Sequence, residues 1–545
     1  MSNESQSVSR RNFVVGGAAA VALGAAAGTV AQGFGARAAQ AAAPSNASDA
    51  ATDGEGLYPN DVDKDAYFTK PAAIADVAET YDYDVVVIGA GASGVPCACA
   101  AADNGAKVVV LQKSPRVYSH GVLFSGWNAP TLVQQKGSEV SDEDIAAMKE
   151  EFMELNHYGV QPGLLNKVFA EVPEAMEWQY NELTGIGQQV MFMGAKSDDP
   201  KAFNYMVPAQ VSRAYASIAD DYADKVDFRF STPAVQLVQN DSGAVTGAIA
   251  QDSDGNYLQF NAAKGVVIAT GGYGGNAELI ARWMPAATTF PNGCYPEDNT
   301  GDGAMMAIWA GAAVAPLKSK KIDIRFYGTH SARTDIEKQP FLMVNDAGVR
   351  IGNEGATEME QNNFVARNPS ESGTYYCIFD ANYGDWLSSI GQDSAILDDE
   401  KIAEYEGGTM PLLWEAGSIE ELAGKIGVDA EALAATVARY NELADAGADA
   451  DFYKDAKDLY RIDTAPYYAM VRQYTIGGTL GAIKVTDDCQ AVSRTTGEGI
   501  EGLYVIGNDM GGLQTGQDYV WHDYGFTLTS ACALGYAVGR DLAKA

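Results

Sequence analysis

Tyr83-Asp84-Val85-Val86-Val87-Ile88-Gly89-Ala90-Gly91-Ala92-Ser93-Gly94 decides the fold of this chain. Four β-branched apolar residues in a row suit a strand buried on both faces. Gly89, Gly91 and Gly94 then fit G-x-G-x-x-G, and an Ala-rich stretch that reads as a helix follows at once. The first glycine allows a tight turn, the second lets backbone approach a pyrophosphate, and the third lets helix pack closely on strand. The helix N-terminus offers N–H groups and a partial positive charge to the phosphates. A second apolar run, Lys107-Val108-Val109-Val110-Leu111, arrives at the spacing of a βαβ unit. The pattern predicts an α/β fold with a Rossmann-like dinucleotide-binding domain.

Outward from this core, 545 residues leave room for two or three domains, and 47% hydrophobic with 20% charged residues is the make-up of an ordinary globular chain. Asp+Glu 72 against Lys+Arg 37 gives a net charge of -35. Such a field disfavours nucleic acid and anionic membrane as partners and suits a basic protein. The amino terminus reads as an export signal. Ser9-Arg10-Arg11-Asn12-Phe13-Val14 precedes an Ala/Gly-rich apolar stretch, and Ala39-Gln40-Ala41-Ala42-Ala43 offers a small-residue cleavage site. Residues 1–43 are thus expected to be a twin-arginine signal, with a periplasmic or other extracytoplasmic destination. Their removal leaves 34 basic against 71 acidic residues, so the acidity belongs to the mature protein. Six cysteines stand at 97, 99, 294, 377, 489 and 532 without a C-x-x-C pair, which gives no support for haem attachment, a zinc ribbon or an iron–sulfur cluster, and Cys97 and Cys99 read as packing residues.

Residues 44–80 are Ala/Ser/Asp/Pro-rich and read as a linker with a short helix near its end. A helical region is expected over 141–225. Short strands follow at Asp227–Phe230, Ala234–Val238, Val245–Ala250 and Tyr257–Phe260, with turn chemistry at Asn240-Asp241-Ser242-Gly243 and Asp252-Ser253-Asp254-Gly255-Asn256. A separate buried strand is expected in Lys264-Gly265-Val266-Val267-Ile268-Ala269-Thr270-Gly271-Gly272. The chain closes with strands, glycines and a helix from Thr529 to Ala543.

Four motifs in order carry a family resemblance: the glycine loop, Ala269-Thr270-Gly271-Gly272, Asn299-Thr300-Gly301-Asp302-Gly303, and Gly502-Leu503-Tyr504-Val505-Ile506-Gly507-Asn508. With them, residues 81–545 resemble the fumarate reductase-type FAD oxidoreductases, a group that includes soluble fumarate reductases, urocanate reductases and 3-ketosteroid dehydrogenases. The resemblance implies FAD. It also implies an FAD-binding domain split into 81–315 and 472–545, with an α+β capping domain inserted at 316–471. Gly89, Ala90, Gly91, Ala92, Ser93 and Gly94 would hold the pyrophosphate. Ala269, Thr270 and Gly271 would pass near the adenine side, with Gly272 a further cofactor contact, and Asp302 would lie near the flavin. Asn508 stands where such reductases carry an acid beside the ribityl chain. Gln112-Lys113 replaces the expected ribose-binding Glu at the end of the second strand, and the Gln112 amide can still accept a hydrogen bond. Ser125, Thr527 and Leu528 are further implied cofactor contacts. Ser119-His120-Gly121-Val122 aligns with the Ser-His-Thr of respiratory enzymes, which makes His120 a candidate flavin tether or contact.

Departures from the family bear on chemistry. The chain keeps Asn345-Asp346-Ala347-Gly348-Val349-Arg350-Ile351-Gly352-Asn353-Glu354, but Glu337 and Glu358 occupy the flanking arginine positions. Tyr474 replaces a carboxylate-binding histidine and Tyr519 a substrate arginine. Loss of these cations removes bidentate carboxylate anchoring, so a dicarboxylate substrate is disfavoured. Gly516-Gln517-Asp518-Tyr519-Val520-Trp521-His522-Asp523-Tyr524-Gly525 resembles a longer form of the ketosteroid dehydrogenase loop, where a tyrosine hydroxyl and a glycine N–H polarise a ketone. Tyr519, Tyr474, Tyr524 and the Gly525 N–H are candidate carbonyl donors. His522 is a candidate acid and His330 a candidate substrate contact. Three readings stand: an exported reductase of an activated C=C bond, fed by a separate membrane-linked cytochrome or flavoprotein; a dehydrogenase running the same transfer in reverse; and an electron-transfer subunit without a substrate of its own.

Overall fold

A computed structural model describes residues 61–119, 121–194, 199, 201–289, 298–315, 320–325, 336, 339–407, 411–479, 481–514 and 525–545. Its largest sheet has eight strands: β1 (Glu79–Ile88), β2 (Val108–Leu111), β6 (Val226–Arg229), β7 (Ala234–Gln239), β8 (Val245–Gln251), β9 (Tyr257–Ile268), β15 (Gln490–Val492) and β16 (Gly499–Val505). Along the main path the order is β15-β16-β9-β1-β2-β6, and β16, β9, β1, β2 and β6 run parallel. Val85, Val86 and Val87 are fully buried at its centre, as the unbroken apolar run requires. Helix α1 (Gly94–Asp103) connects β1 to β2, and helix α4 (Phe526–Lys544) packs across it. That crossing depends on small residues: a Cβ on Gly535 or Gly539 would collide with the backbone of Ser93 or Cys97. Cys97 and Cys99 are fully buried free thiols, as expected of packing residues.

A three-stranded sheet comprises β3 (Leu123–Ser125), β4 (Met191–Phe192) and β5 (Asn204–Met206). The third sheet holds β10 (Lys320–Arg325), β11 (Leu342–Val344), β12 (Thr374–Asp380), β13 (Leu413–Ala416) and β14 (Tyr467–Thr479), all antiparallel and organised on the long strand β14. A mostly parallel sheet drawn from both ends of the sequence, with an antiparallel sheet between them, is the split α/β architecture the resemblance implies.

Three boundaries differ from the sequence reading. Tyr257–Phe260 and the strand after Lys264 are one continuous β9, because a bulge opposite Asp84 absorbs the mismatch and keeps the ladder to β1 unbroken. The position 471/472 falls inside β14, whose hydrogen bonds to β12 and β10 carry it across. The second half of the 44–80 segment is part of the folded body. Val62 and Phe68 are buried, Phe68 stacks on Trp283, and Asp63 and Asp65 pair with Arg494 (2.9 Å) and Arg282 (2.7 Å). Its polar composition masks these few anchors. No helix among the described residues is long and apolar enough to cross a membrane.

Candidate active site

The site begins where β1 ends. Gly89 has φ +109°, and a Cβ there would run into the Ala269 carbonyl; a Cβ on Gly94 would fall on the Gly89 carbonyl oxygen. Gly91 is different. Its missing Cβ would meet only the Tyr118 carbonyl oxygen, at 3.2 Å, which leaves open the approach a phosphate needs. Ser93 opens α1 without a side-chain cap, so the positive end of the helix is left for an anion.

At the end of β2 the structure corrects one expectation. Gln112 is buried and its amide is engaged: Oε1 accepts from the Ala90 N–H at 3.1 Å and Nε2 donates to the Arg116 carbonyl at 3.1 Å. It ties the glycine loop to the segment after β2 and is not poised for a ribose. Asp302, expected near the flavin, pairs with the ammonium of Lys113 at 2.9 Å, and Thr300 Oγ1 accepts from the same Nζ at 2.7 Å. Helix α2 (Asp302–Trp309) starts there, and its N-terminus favours the carboxylate.

Asp509 was not foreseen. Its carboxylate is fully buried and accepts from the N–H groups of Thr270 (2.5 Å), Gly271 (2.8 Å) and Gly272 (3.1 Å), and from the Thr270 hydroxyl (2.9 Å). It clamps the Ala269–Gly272 turn to the strand β16 loop. Burial raises its carboxyl above the ordinary range, against the lowering effect of those donors. The acid in this loop is therefore one residue after Asn508. A lone Asp in a glycine-rich apolar turn was the available signal.

Beyond Ser93 lies a cleft lined by Gly507, Asn508, Met510, Leu513, Gln514, Thr527, Ser530 and Ala531. Gly507 abuts the Ser93 hydroxyl, so the cleft continues from the glycine loop. Among the described residues, every lining side chain is uncharged. Gln514 Nε2 and Oε1 and Thr527 Oγ1 are buried without partners among the described residues. Gly525 precedes α4 with φ +93°, and a Cβ on it would strike Leu123 and Phe124, so its expected place at the site depends on its being glycine. Leu528 fills the space that Gly121 leaves open, and Ser119 sits two residues before that contact. Ser125, by contrast, is no cofactor ligand in this arrangement: it is fully buried and its hydroxyl donates to Asn204 at 2.8 Å. Ala92 packs against the core.

In the cap, Tyr474 is 1% exposed and donates to Gln361 Oε1 at 2.8 Å, with Tyr375 edge-on to its ring. That proton is unavailable to a substrate carbonyl, which corrects its expected donor role. The retained Arg350-to-Glu354 motif forms a buried ion network. Arg350 Nη2 stands 2.8 Å from Glu354 and 2.8 Å from Asp449, and Lys454 Nζ lies 3.3 Å from Glu354 and donates to the Tyr440 hydroxyl at 2.8 Å. Burial would raise the Glu354 carboxyl, but the Lys454 ammonium and the Arg350 guanidinium outweigh it and hold it low. For Asp449, the Arg350 guanidinium and the Lys454 and Phe452 N–H groups likewise outweigh burial and bring it to about 2. His120, His330, Glu337, Tyr519, His522 and Tyr524 lie outside the described residues.

A glycine cradle at a helix N-terminus, and a neutral cleft with orphaned buried polar atoms running on from it, fit a dinucleotide that carries a flat polar ring system. Together with the capped parallel sheet they define a flavin-dependent oxidoreductase. The sequence profile of the FAD binding domain family matches residues 84–518, and the chain belongs to that family. It is 26% identical over 490 residues to the vinyl phenol reductase of Lactiplantibacillus plantarum, covering 85% of this chain and 95% of the relative. It is 28% identical over 471 residues to the cytochrome-type fumarate reductase of Shewanella frigidimarina, covering 85% and 77%. The crystal structure of 3-ketosteroid delta1-dehydrogenase from Sterolibacterium denitrificans shares its fold, with a TM-score of 0.65, 20% identity, and 85% and 99% of the two chains covered. FAD is the cofactor.

Proposed function

We propose that the protein is an exported reductase of the activated C=C bond of a neutral, ring-containing substrate of enone or enoate type, supplied with electrons by a separate redox protein. The observation that carries this reading is in the cap, where the neutral Tyr474, buried and donating to Gln361 at 2.8 Å, stands at the position of a carboxylate-binding histidine. The likeness to a vinyl phenol reductase, whose named substrate is an uncharged aromatic alkene, supports it.

Reduced FAD, when bound, supplies the hydride to one alkene carbon. Gly89, Gly91 and Gly94 with the N-terminus of α1 would hold its pyrophosphate, and Asn508, Thr527 and Leu528 would border the flavin. The chain must then deliver a proton to the other carbon, with Tyr519, His522 and Tyr524 as the donors proposed from the sequence. The Gly525 N–H, at the start of α4, would polarise the conjugated carbonyl. The electrons are proposed to come from a membrane-linked cytochrome or flavoprotein, because the chain carries no haem or cluster motif.

The test is anaerobic. The flavin is photoreduced and mixed with 4-vinylphenol, cyclic enones or fumarate. Reoxidation by the uncharged alkenes, faster than by fumarate, is expected. Reoxidation by fumarate alone overturns the neutral-substrate reading, and bleaching of the oxidised flavin by saturated cyclic ketones turns it into a dehydrogenase. For export, Arg10→Lys with Arg11→Lys is expected to leave the unprocessed protein inside the cell; unchanged processing removes that part of the proposal.

A further inference from the structure

Among the described residues, Gln514 alone has two buried side-chain polar atoms without a partner. It is 8% exposed, it lines the cleft, and neither its amide N–H₂ nor its carbonyl oxygen has a partner among the described residues. Leaving both ends of a buried amide unbonded costs about 1–3 kcal/mol per group, so native proteins keep such a group only where something else completes it. Thr527, on the facing first turn of α4, repeats the pattern with a buried unpartnered hydroxyl. Both segments that build the cleft abut the glycine loop: Gly507 meets the Ser93 hydroxyl, and Gly535 of α4 meets the Ser93 backbone. The cleft is thus the continuation of the phosphate cradle, and the group that fills it is the far end of the dinucleotide.

We infer that Gln514, with Thr527 beside it, reads the pyrimidine edge of the flavin ring. That edge is an imide: a carbonyl, an N–H and a second carbonyl side by side. A carboxamide matches an adjacent pair of them, donating to one carbonyl and accepting from the N–H. The Thr527 hydroxyl serves the other carbonyl. A cationic side chain could not accept from the imide N–H, and an apolar one would leave the edge dry. The inference rests on FAD being the cofactor and is independent of which alkene is reduced.

The experiment compares apoprotein binding of FAD and of its N3-methyl analogue, whose imide cannot donate. Wild-type protein is expected to prefer FAD by roughly tenfold or more, the size of one well-made buried hydrogen bond. In Gln514→Leu, affinity for FAD is expected to fall by about the same factor, and the preference for FAD over the N3-methyl form to fall toward unity. Gln514→Glu keeps the shape but loses the donor and adds negative charge. It is expected to fold as wild type and to lower the flavin midpoint potential, a readout that survives even if the leucine variant fails to fold. A leucine variant that keeps the wild-type preference overturns the assignment. So does one with unchanged FAD affinity whose KM for the alkene rises, since Gln514 would then belong to the substrate; and so does a glutamate variant with an unshifted potential.

Discussion

At the scale of single residues, the glycine loop was legible in full and its neighbours only in part. Gly89 and Gly94 are fixed by backbone collisions that any Cβ would cause, and the spacing alone announced them. Gly94→Ala is expected to cost about 1–3 kcal/mol in overpacking, enough to lower FAD occupancy tenfold or more in the purified protein, as read from the ratio of flavin to protein absorbance. The partners of Gln112 and Asp302 could not be read from the sequence, because each is engaged by a residue that sequence spacing cannot bring to it: Ala90 in one case, Lys113 in the other. Asp509 was missed for the same reason, its donors lying more than 230 positions earlier. Asp509→Asn would turn an amide N–H₂ toward one of those N–H donors. A loss of about 1–3 kcal/mol in urea unfolding is expected, and wild-type stability would show that the carboxylate clamp is immaterial.

At the scale of elements, strand pattern was readable where a run is buried on both faces and failed where pairing partners decide continuity. β9 and β14 both run through positions that look like breaks, because neighbouring strands supply the hydrogen bonds that hold them in one piece. The Asn345–Glu354 motif was legible as a motif and not as an ion network, since Asp449 and Lys454 reach it only through the fold. Lys454→Met removes one buried partner and is expected to destabilise the cap by about 3–5 kcal/mol, measured as an earlier unfolding transition. The pH sign follows from the lowered carboxyls. Glu354 and Asp449 bind protons less readily folded than unfolded, so their contribution is complete above the ordinary carboxylate range and fades as pH falls through the folded values, for Asp449 toward about 2. Asp509 has the opposite sign: its raised carboxyl favours the fold most below the unfolded value, and that contribution is lost as pH rises through the folded one. Thermal scans from pH 7 to pH 2 are expected to show the cap transition falling first. Asp449→Asn should lower the transition at neutral pH and flatten its fall in acid.

At the scale of the whole molecule, the net charge of -35 is the property most exposed to test. A basic electron donor would be steered by it, so the bimolecular rate of flavin reduction is expected to fall by about tenfold or more as ionic strength rises from low to several hundred millimolar. A salt-independent rate would remove electrostatic docking from the picture.

The anchors at Val62 to Phe68 have a last consequence, for the timing of maturation. They join the first described residues to Arg282 and to Arg494, 431 positions away from Asp63. The Asp63–Arg494 pair can close only after nearly the whole chain has left the ribosome, whereas the contacts to Arg282 and Trp283 can form once the chain has passed Trp283. On the proposed export route, closure of the Asp63–Arg494 pair would mark a chain whose synthesis has passed Arg494.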